Sequence, residues 1–218
     1  MRVGKFIVME GTDGSGSTTQ GDLLAGHLRQ QGLAVVRTAQ PSPLEAGQLI
    51  RRILRGEITG QEGPIDAAAV ALLFAADRID HAQRCVLPAL AKGEWVVCDR
   101  HLASSLAFQV SDTAGQATPV DTAWVLAINR GALIPDLTLW LDVPVEVALE
   151  RIVARGKPLE RFETAATLTR VRNRYAALGN QGLALLGRFV RVDGTAARET
   201  VACAIRRIVE DLAESAEQ

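Results

Sequence analysis

The sequence predicts an α/β fold in which helices flank a five-stranded parallel sheet, giving three layers in a single domain of residues 1–218. Short β-branched runs alternate with long amphipathic segments, a pattern typical of parallel strands joined by right-handed crossovers. The strand runs are almost wholly apolar, as expected for strands that are covered on both faces. A glycine-rich turn directly follows the first strand and opens the first helix.

Five apolar runs are predicted as strands: residues 6–9, 34–38, 95–98, 137–141 and 188–192. Five amphipathic segments are predicted as helices: residues 18–30, 44–54, 66–90, 144–155 and 196–213. Pro88 is expected to bend the third helix near its end, and Pro144 suits the first helical position of the fourth.

The composition excludes several classes of protein. An apolar fraction of 48% is enough to bury a core, so disorder is excluded. A net charge of -1 and 4% aromatic residues argue against nucleic-acid binding. The three cysteines have neither zinc-ligand nor disulfide-framework spacing, and no membrane span or signal peptide is apparent. We therefore expect a cytoplasmic enzyme with small-molecule partners.

The carboxyl ends of parallel strands meet at one edge of a sheet, where α/β folds bind their ligands. Residues 11–19, 38–43 and 99–109, together with Asp142, follow predicted strands. The topology therefore places them near one site.

The turn after the first strand carries the spacing of a phosphate-binding loop, G-x-x-x-x-G-K-[ST], with Ser17 in the lysine position. Glycines let backbone N–H groups surround a phosphate, and the helix start adds partial positive charge. The alternative is a ligand-free glycine-rich connection; a dinucleotide fingerprint fails because Thr19 stands where glycine is needed. We predict a P-loop NTPase-type fold with these ATP-phosphate contacts: Gly11, Thr12, Asp13, Gly14, Ser15, Gly16, Ser17, Thr18 and Thr19.

Several further segments accompany this loop in order: residues 73–78 (LFAADR), residues 87–90 (LPAL), the run 99–109 (DRHLASSLAFQ), residues 135–138 (PDLT) and residues 150–163. Together they resemble the thymidylate kinase family, over nearly the whole chain. The resemblance implies transfer of the γ-phosphoryl group of ATP to dTMP, with Mg²⁺ as cofactor, by a homodimer. It also implies a short basic lid at about residues 151–163.

The resemblance assigns roles residue by residue. It implies that Asp13, Asp99 and Arg100 serve catalysis and that Asp99 serves the metal. Thr18 is added as a metal ligand from its position in the loop, and Arg155 is added as a catalytic candidate because the loop lysine is missing. The dTMP-binding residues are Arg51, Phe74, Arg78, Arg100, Ser105, Phe108 and Gln109. Arg151, Arg155 and Lys157 of the lid join the ATP contacts.

The chemistry of phosphoryl transfer agrees with such a set. The accepting phosphate oxygen is ionised near neutral pH, so that no general base is required and catalysis rests on positioning and charge neutralisation. Residues 151–174 hold seven basic side chains against two acidic ones, Glu160 and Glu163, which suits an anionic ligand.

Structural alternatives exist for several of these residues. Phe74 could be a core residue, and Arg78 could pair with Asp77 or Glu62. Asp99 and Arg100 could form a structural ion pair. Two alternatives are preferred: Arg170, Arg172 and Arg174 as a solvated helix face, and Asp142 as a charge at a helix N-terminus.

The sequence departs from the family pattern at two places. Ser17 replaces the loop lysine, and residues 38–41 read TAQP where the family usually has T-R-E-P, so that an arginine and a glutamate are missing. Arg37 is expected to point to the opposite strand face and to be a poor substitute. Three interpretations remain open. The first is an active enzyme in which the lid cations Arg155 and Lys157, with Arg161 behind them, compensate for the missing lysine. The others are a weak or inactive nucleotide-binding homologue with a regulatory role and a kinase for another small phosphate acceptor.

Overall fold

The computed structural model describes residues 4–58, 63, 65–110, 120–156 and 163–214. Its strands are β1 (Phe6–Gly11), β2 (Val35–Ala39), β3 (Trp95–Asp99), β4 (Leu137–Asp142) and β5 (Arg188–Asp193). All five pair in parallel, in the order β2-β3-β1-β4-β5. The predicted α/β class and the five strands are confirmed, and each strand ends one or two residues later than predicted.

Burial follows the position of each strand in the sheet. The strands β1, β3 and β4 are buried along their whole length, whereas the edge strands β2 and β5 are partly exposed. This difference explains why the central strands read as continuous apolar runs.

Six of the described helices correspond to the five predicted segments. They are α1 (Ser17–Gln30), α2 (Glu45–Leu54), α3 (Ala67–His81) with α4 (Leu87–Ala91), α7 (Val145–Ala154) and α9 (Arg198–Glu214). Three more have no counterpart in the prediction: α5 (Leu102–Phe108), α6 (Thr122–Ile128) and α8 (Ala165–Gln181). A single 3₁₀ turn spans Ala184–Leu186.

The long segment predicted at residues 66–90 is helical but irregular. A π-helical turn, Ala82–Val86, separates α3 from α4 and lies just before Pro88. Proline lacks an N–H and crowds the carbonyl four residues earlier, and a wider turn relieves that crowding. The disturbance predicted from Pro88 is therefore present as a widened turn.

Two helical layers cover the sheet. On one face Ile7 and Met9 of β1 pack in a core cluster with residues of α1 and α9, such as Leu24 and Ile205. On the other face Phe6 of β1 packs with residues of the π-helical turn and α4, and α5, α6 and α8 form a neighbouring cluster. The alternation along β1 thus gives the three predicted layers. Among the described helices, none combines the length and apolarity needed to cross a bilayer.

Candidate active site

The phosphate-binding loop joins the end of β1 to the start of α1. Gly14 and Gly16 have φ angles of 77° and 91°, a left-handed conformation that strains other residues. A Cβ atom on Gly14 would lie 2.3 Å from the carbonyl oxygen of Ala148, so position 14 also lacks room for a side chain. Left-handed residues in such a loop let successive N–H groups face one anion.

The hydroxyl groups of the loop meet the carboxylate at the end of β3. Ser17 Oγ donates to Asp99 Oδ1 at 3.0 Å, and Thr18 Oγ1 donates to Asp99 Oδ2 at 2.5 Å. Ser15 Oγ is buried and has no hydrogen-bond partner among the described residues. Ser17, in the lysine position, thus binds the neighbouring carboxylate.

The donor set of Thr18 and Asp99 suits Mg²⁺. A hydroxyl and a carboxylate supply hard oxygen ligands, and Mg²⁺ in kinase sites takes only one or two carboxylates with substrate phosphates and water. Within the described ranges there is no cluster of three His, Cys, Asp or Glu side chains that would form an all-protein metal cage. The residues present therefore fit a metal that arrives with a nucleotide.

Arg100 follows β3 and turns back over the loop. Its φ angle is 67°, its Nη2 donates to Asp13 Oδ1 at 2.7 Å, and its Nη1 donates to the Gly11 carbonyl at 2.9 Å. Burial acts to lower the pKa of Arg100, but neighbouring carboxylates, Asp13 first among them, raise it above its ordinary value. The guanidinium therefore stays charged. The alternative of an Asp99–Arg100 ion pair is wrong, because Arg100 pairs with Asp13.

Glu10, which the sequence analysis missed, fixes the backbone around Arg100. Its Oε1 accepts from the His101 N–H at 2.8 Å, and its Oε2 accepts from Ser104 Oγ at 2.6 Å and from the Tyr175 hydroxyl at 2.8 Å. Burial raises the pKa of Glu10, although the hydrogen bond from Ser104 acts to lower it. A lone carboxylate at the end of an apolar run was the available sequence signal.

Arg78 is 1% exposed and anchors a second network. It donates from Nη2 to Ser105 Oγ at 2.8 Å and from Nη1 to Asn129 Oδ1, a buried partner that sequence reasoning missed. Burial lowers the pKa of Arg78 to about 10. The alternative pairing with Asp77 is wrong, because the Asp77 carboxylate accepts from the N–H and hydroxyl of Ser42; Glu62 lies outside the described residues.

The other predicted acceptor-side residues lie on α3, at the end of α5 and on α2. Phe74 is half-buried on α3, and its spacing of four residues puts it on the face of Arg78. The Arg100 guanidinium carbon lies 5.0 Å from the Phe108 ring centroid, and Gln109 Oε1 is buried without a partner among the described residues. Arg51 is exposed on α2 and donates to the Pro41 carbonyl.

The predicted lid cations differ in their contacts. Arg151 of α7 braces the loop, donating to the carbonyls of Ser15 at 3.3 Å and Gly194 at 2.9 Å. Arg155 pairs with the buried Glu163 at 2.7 Å. Lys157 and the rest of the lid at residues 157–162 lie outside the described residues.

The preferred interpretations of Asp142 and of two α8 arginines are wrong. Asp142 is buried at the end of β4 and accepts from Arg172 Nε at 2.6 Å and from Arg191 Nε at 2.8 Å. Arg174 donates to the Ala107 and Val110 carbonyls. Arg172 and Arg174 of α8 thus contact residues that are distant in sequence. Arg170 is exposed, as expected.

The expectation that Arg37 points away from this region is also wrong. Residues two apart in a strand share a face, so Arg37 occupies the face of position 39. Its guanidinium donates to the Thr18 carbonyl at 3.3 Å and lies 3.8 Å from Asp99 Oδ2.

Comparisons with known proteins show which family the chain resembles. The thymidylate kinase family profile matches residues 9–201. A probable thymidylate kinase of Pyrococcus horikoshii is 44% identical over 176 residues, covering 80% of this chain and 82% of the relative. A thymidylate kinase of Alkalilimnicola ehrlichii is 37% identical over 220 residues, covering 95% and 96%. The profile covers most of the chain and the relatives are 37% to 44% identical, so the chain belongs to the thymidylate kinase family.

Proposed function

We propose that the protein is a kinase that transfers the γ-phosphoryl group of ATP to dTMP, giving ADP and dTDP. The observation that carries this proposal is that the protein has both a phosphate-binding loop and a separate buried hydrogen-bond network around Arg78. A phosphate loop alone is common to many nucleotide-binding proteins. The Arg78 network adds a second, polar site near the same edge of the sheet. A kinase that binds two nucleotide substrates requires two such sites.

The acceptor side is assigned to α3 and α5. Arg78, Ser105 and Gln109 offer polar atoms for a base edge, and Phe74 offers an aromatic face beside them. Arg78 Nε and Gln109 Oε1 are buried without partners among the described residues, and a bound base would give such atoms hydrogen bonds. Arg51 would bind the acceptor phosphate together with Arg100.

Phosphoryl transfer here needs positioning and positive charge. Arg100, held by Asp13 and the Gly11 carbonyl, is set at the loop and would orient the acceptor phosphate toward the γ-phosphate. The loop N–H groups and Arg151, which braces Ser15, would hold the donor phosphates. The accepting oxygen is already ionised, so that no side chain has to remove a proton.

Mg²⁺ is proposed as the cofactor that accompanies ATP. Thr18 and Asp99 would hold it, and the ion would neutralise charge on the donor phosphates. Arg155 of the lid is proposed to add a further cation on the same side.

Turnover of four monophosphates tests the assignment. With saturating ATP and Mg²⁺, we expect dTMP to give the highest kcat/KM among dTMP, dUMP, CMP and GMP. The preference for dTMP over dUMP should be about 10- to 200-fold, the usual worth of one methyl group. Calorimetric binding of dTMP without turnover of any acceptor would favour a regulatory nucleotide-binding protein, and better turnover of CMP or GMP would identify a different kinase.

A homodimer formed through α3 is proposed as well. Leu72 and Ile79, two turns apart on one face of α3, are 50% and 43% exposed, and Leu54 at the end of α2 is 37% exposed. An apolar face of this kind on a soluble enzyme suits contact with a second copy. Three unpaired cysteines are compatible with a reducing, cytoplasmic location, which is proposed with it.

Sedimentation velocity tests the dimer. The L72D variant should shift the protein from dimer to monomer, because a charge in an apolar interface is costly. V153D is the matched control, since Val153 is 68% exposed on α7 and lies outside the α3 face. A monomeric wild type, or equal effects of both variants, would contradict the proposed dimer.

A further inference from the structure

The Arg37 guanidinium lies between α1 and the strands β2 and β3 and contacts oxygen atoms of all three elements. Its Nε donates to Asp22 Oδ1 at 2.9 Å, and its Nη1 donates to the Thr38 carbonyl at 2.6 Å. Its Nη2 donates to the Thr18 carbonyl and lies 3.8 Å from Asp99 Oδ2. The side chain is only 18% exposed. One guanidinium therefore contacts both Thr18 and Asp99, the two residues assigned to the metal.

Gly21 makes this position possible. A Cβ atom on Gly21 would lie 2.7 Å from Arg37 Nη2, closer than such atoms normally approach. Gly26, in the same helix, has no atom of another described element within 4 Å of its Cβ position. Glycine inside a helix costs stability relative to alanine. At position 21, unlike position 26, the structure gives a packing reason for that cost.

We propose that Arg37 is a positioning residue for ATP binding and that its guanidinium packs against α1 where Gly21 lacks a side chain. It supplies part of the positive charge that the loop lacks at Ser17. This inference rests on the proposed function, because that function assigns Thr18 and Asp99 to the metal and the loop to the triphosphate. Arg37 acts through these residues and is not itself placed on a phosphate.

The charges near the loop explain why such a residue is needed. Asp99, Asp22 and Asp13 lie around the start of α1, and Ser17 brings no cation to offset them. Arg100 forms an ion pair with Asp13 and is assigned to the acceptor phosphate. Arg37 pairs with Asp22 and lies beside Asp99, so that it offsets negative charge where a triphosphate must bind.

A double-mutant cycle between Gly21 and Arg37 tests the inference. G21A changes no charge but would displace the guanidinium, and R37Q removes the charge. Each should lower kcat/KM for ATP about tenfold, the lower range found for residues that support metal ligands. The G21A/R37Q double variant should be no worse than R37Q, because a Cβ at position 21 matters only while Arg37 is present. KM for dTMP should stay within about twofold.

Two further variants separate positioning from simple folding. G26A places the same methyl group on α1 away from Arg37 and should leave both KM values unchanged. S17K should restore most of the ATP kcat/KM that R37Q loses, since it returns a cation to the loop. Thermal melting of each variant checks that the fold is retained.

The outcomes are distinct from a failure of the proposed function. Any of four results would overturn the inference. G21A and R37Q could have additive effects, or R37Q could have no effect. The losses in kcat/KM for ATP and for dTMP could be equal, or S17K could fail to rescue R37Q. If the wild type does not phosphorylate dTMP, the proposed function fails. The same double-mutant cycle can then be measured by calorimetry, as the affinity for a non-hydrolysable ATP analogue with Mg²⁺. Unchanged affinity in G21A and R37Q would overturn the inference independently.

Discussion

The two halves of the proposed site are built in different ways. On the acceptor side, Arg78 and Arg100 each have several protein partners, and Glu10 holds the backbone next to Arg100 through buried hydrogen bonds. On the ATP side, the loop relies on glycine conformations and on hydroxyl groups that bind Asp99. The acceptor half has the fully buried Arg78 and the partly buried Arg100, whereas the ATP half receives Arg37 from β2 and Arg151 from α7.

This contrast indicates where the chain tolerates change. A buried arginine with side-chain partners cannot be lost without leaving those partners unpaired. A charge that acts on the ligand through other residues can be replaced by another charge placed nearby. Substitutions on the acceptor side should therefore have larger effects than substitutions on the ATP side.

The largest effect is expected from R100A. Removing the guanidinium leaves Asp13 unpaired and takes away the cation proposed for the acceptor phosphate, and kcat should fall about 10²- to 10³-fold. Steady-state kinetics measure the change. R52A is the control, because Arg52 is exposed and pairs only with the exposed Glu57 among the described residues. A loss in R100A below tenfold would remove Arg100 from the transfer step.

The next largest effect is expected from R78M. Ser105 and Asn129 would lose their buried partner, and kcat/KM for dTMP should fall about a hundredfold while KM for ATP changes little. R84M, which removes an exposed arginine paired with Glu45 and Asp80, should leave both constants unchanged. Equal losses for dTMP and ATP would contradict the base-site assignment.

A smaller effect is expected from R155A on the ATP side. The Arg155 side chain is 37% exposed, so solvent and salt screen its charge, and kcat should fall by less than the roughly 10²-fold expected for a buried charge-stabilising group. E163Q breaks the Arg155–Glu163 pair but keeps the arginine, so its turnover should exceed that of R155A. Equal turnover in the wild type and R155A would leave the lid cation without a role in transfer.

The smallest effect, on stability, concerns Glu10. Burial raises its folded-state pKa above 4.5, so that the wild type should lose stability relative to E10Q as pH rises from about 4.5 through the folded-state value. Urea unfolding at a series of pH values measures this difference. E45Q is the control of opposite sign, because the hydrogen bond from Arg84 lowers the pKa of Glu45. A pH-independent difference between wild type and E10Q would contradict the raised pKa.

The sequence was sufficient for features written in local patterns. The five strands follow from apolar runs, and the loop follows from the spacing of Gly11, Gly16 and Thr18. Helix α8 could have been found from Leu168, Val171, Tyr175 and Leu178, which recur at helical spacing and are all buried.

Long-range contacts could not be predicted in the same way. The partners of Asp142 come from α8 and β5, and Glu10 receives Tyr175 from 165 residues away. Pairing of this kind depends on how helices dock on the sheet, which no local pattern records. Arg37 was misjudged for a simpler reason, since strand periodicity does place it on the face of position 39.

The central claim is that a phosphate loop without its lysine still performs phosphoryl transfer to dTMP. A single-turnover experiment tests it most directly, with enzyme in excess over radiolabelled dTMP and saturating ATP and Mg²⁺. We expect all bound dTMP to become dTDP in one exponential phase. Bound dTMP that remains unconverted, while the ATP analogue binds normally, would contradict it.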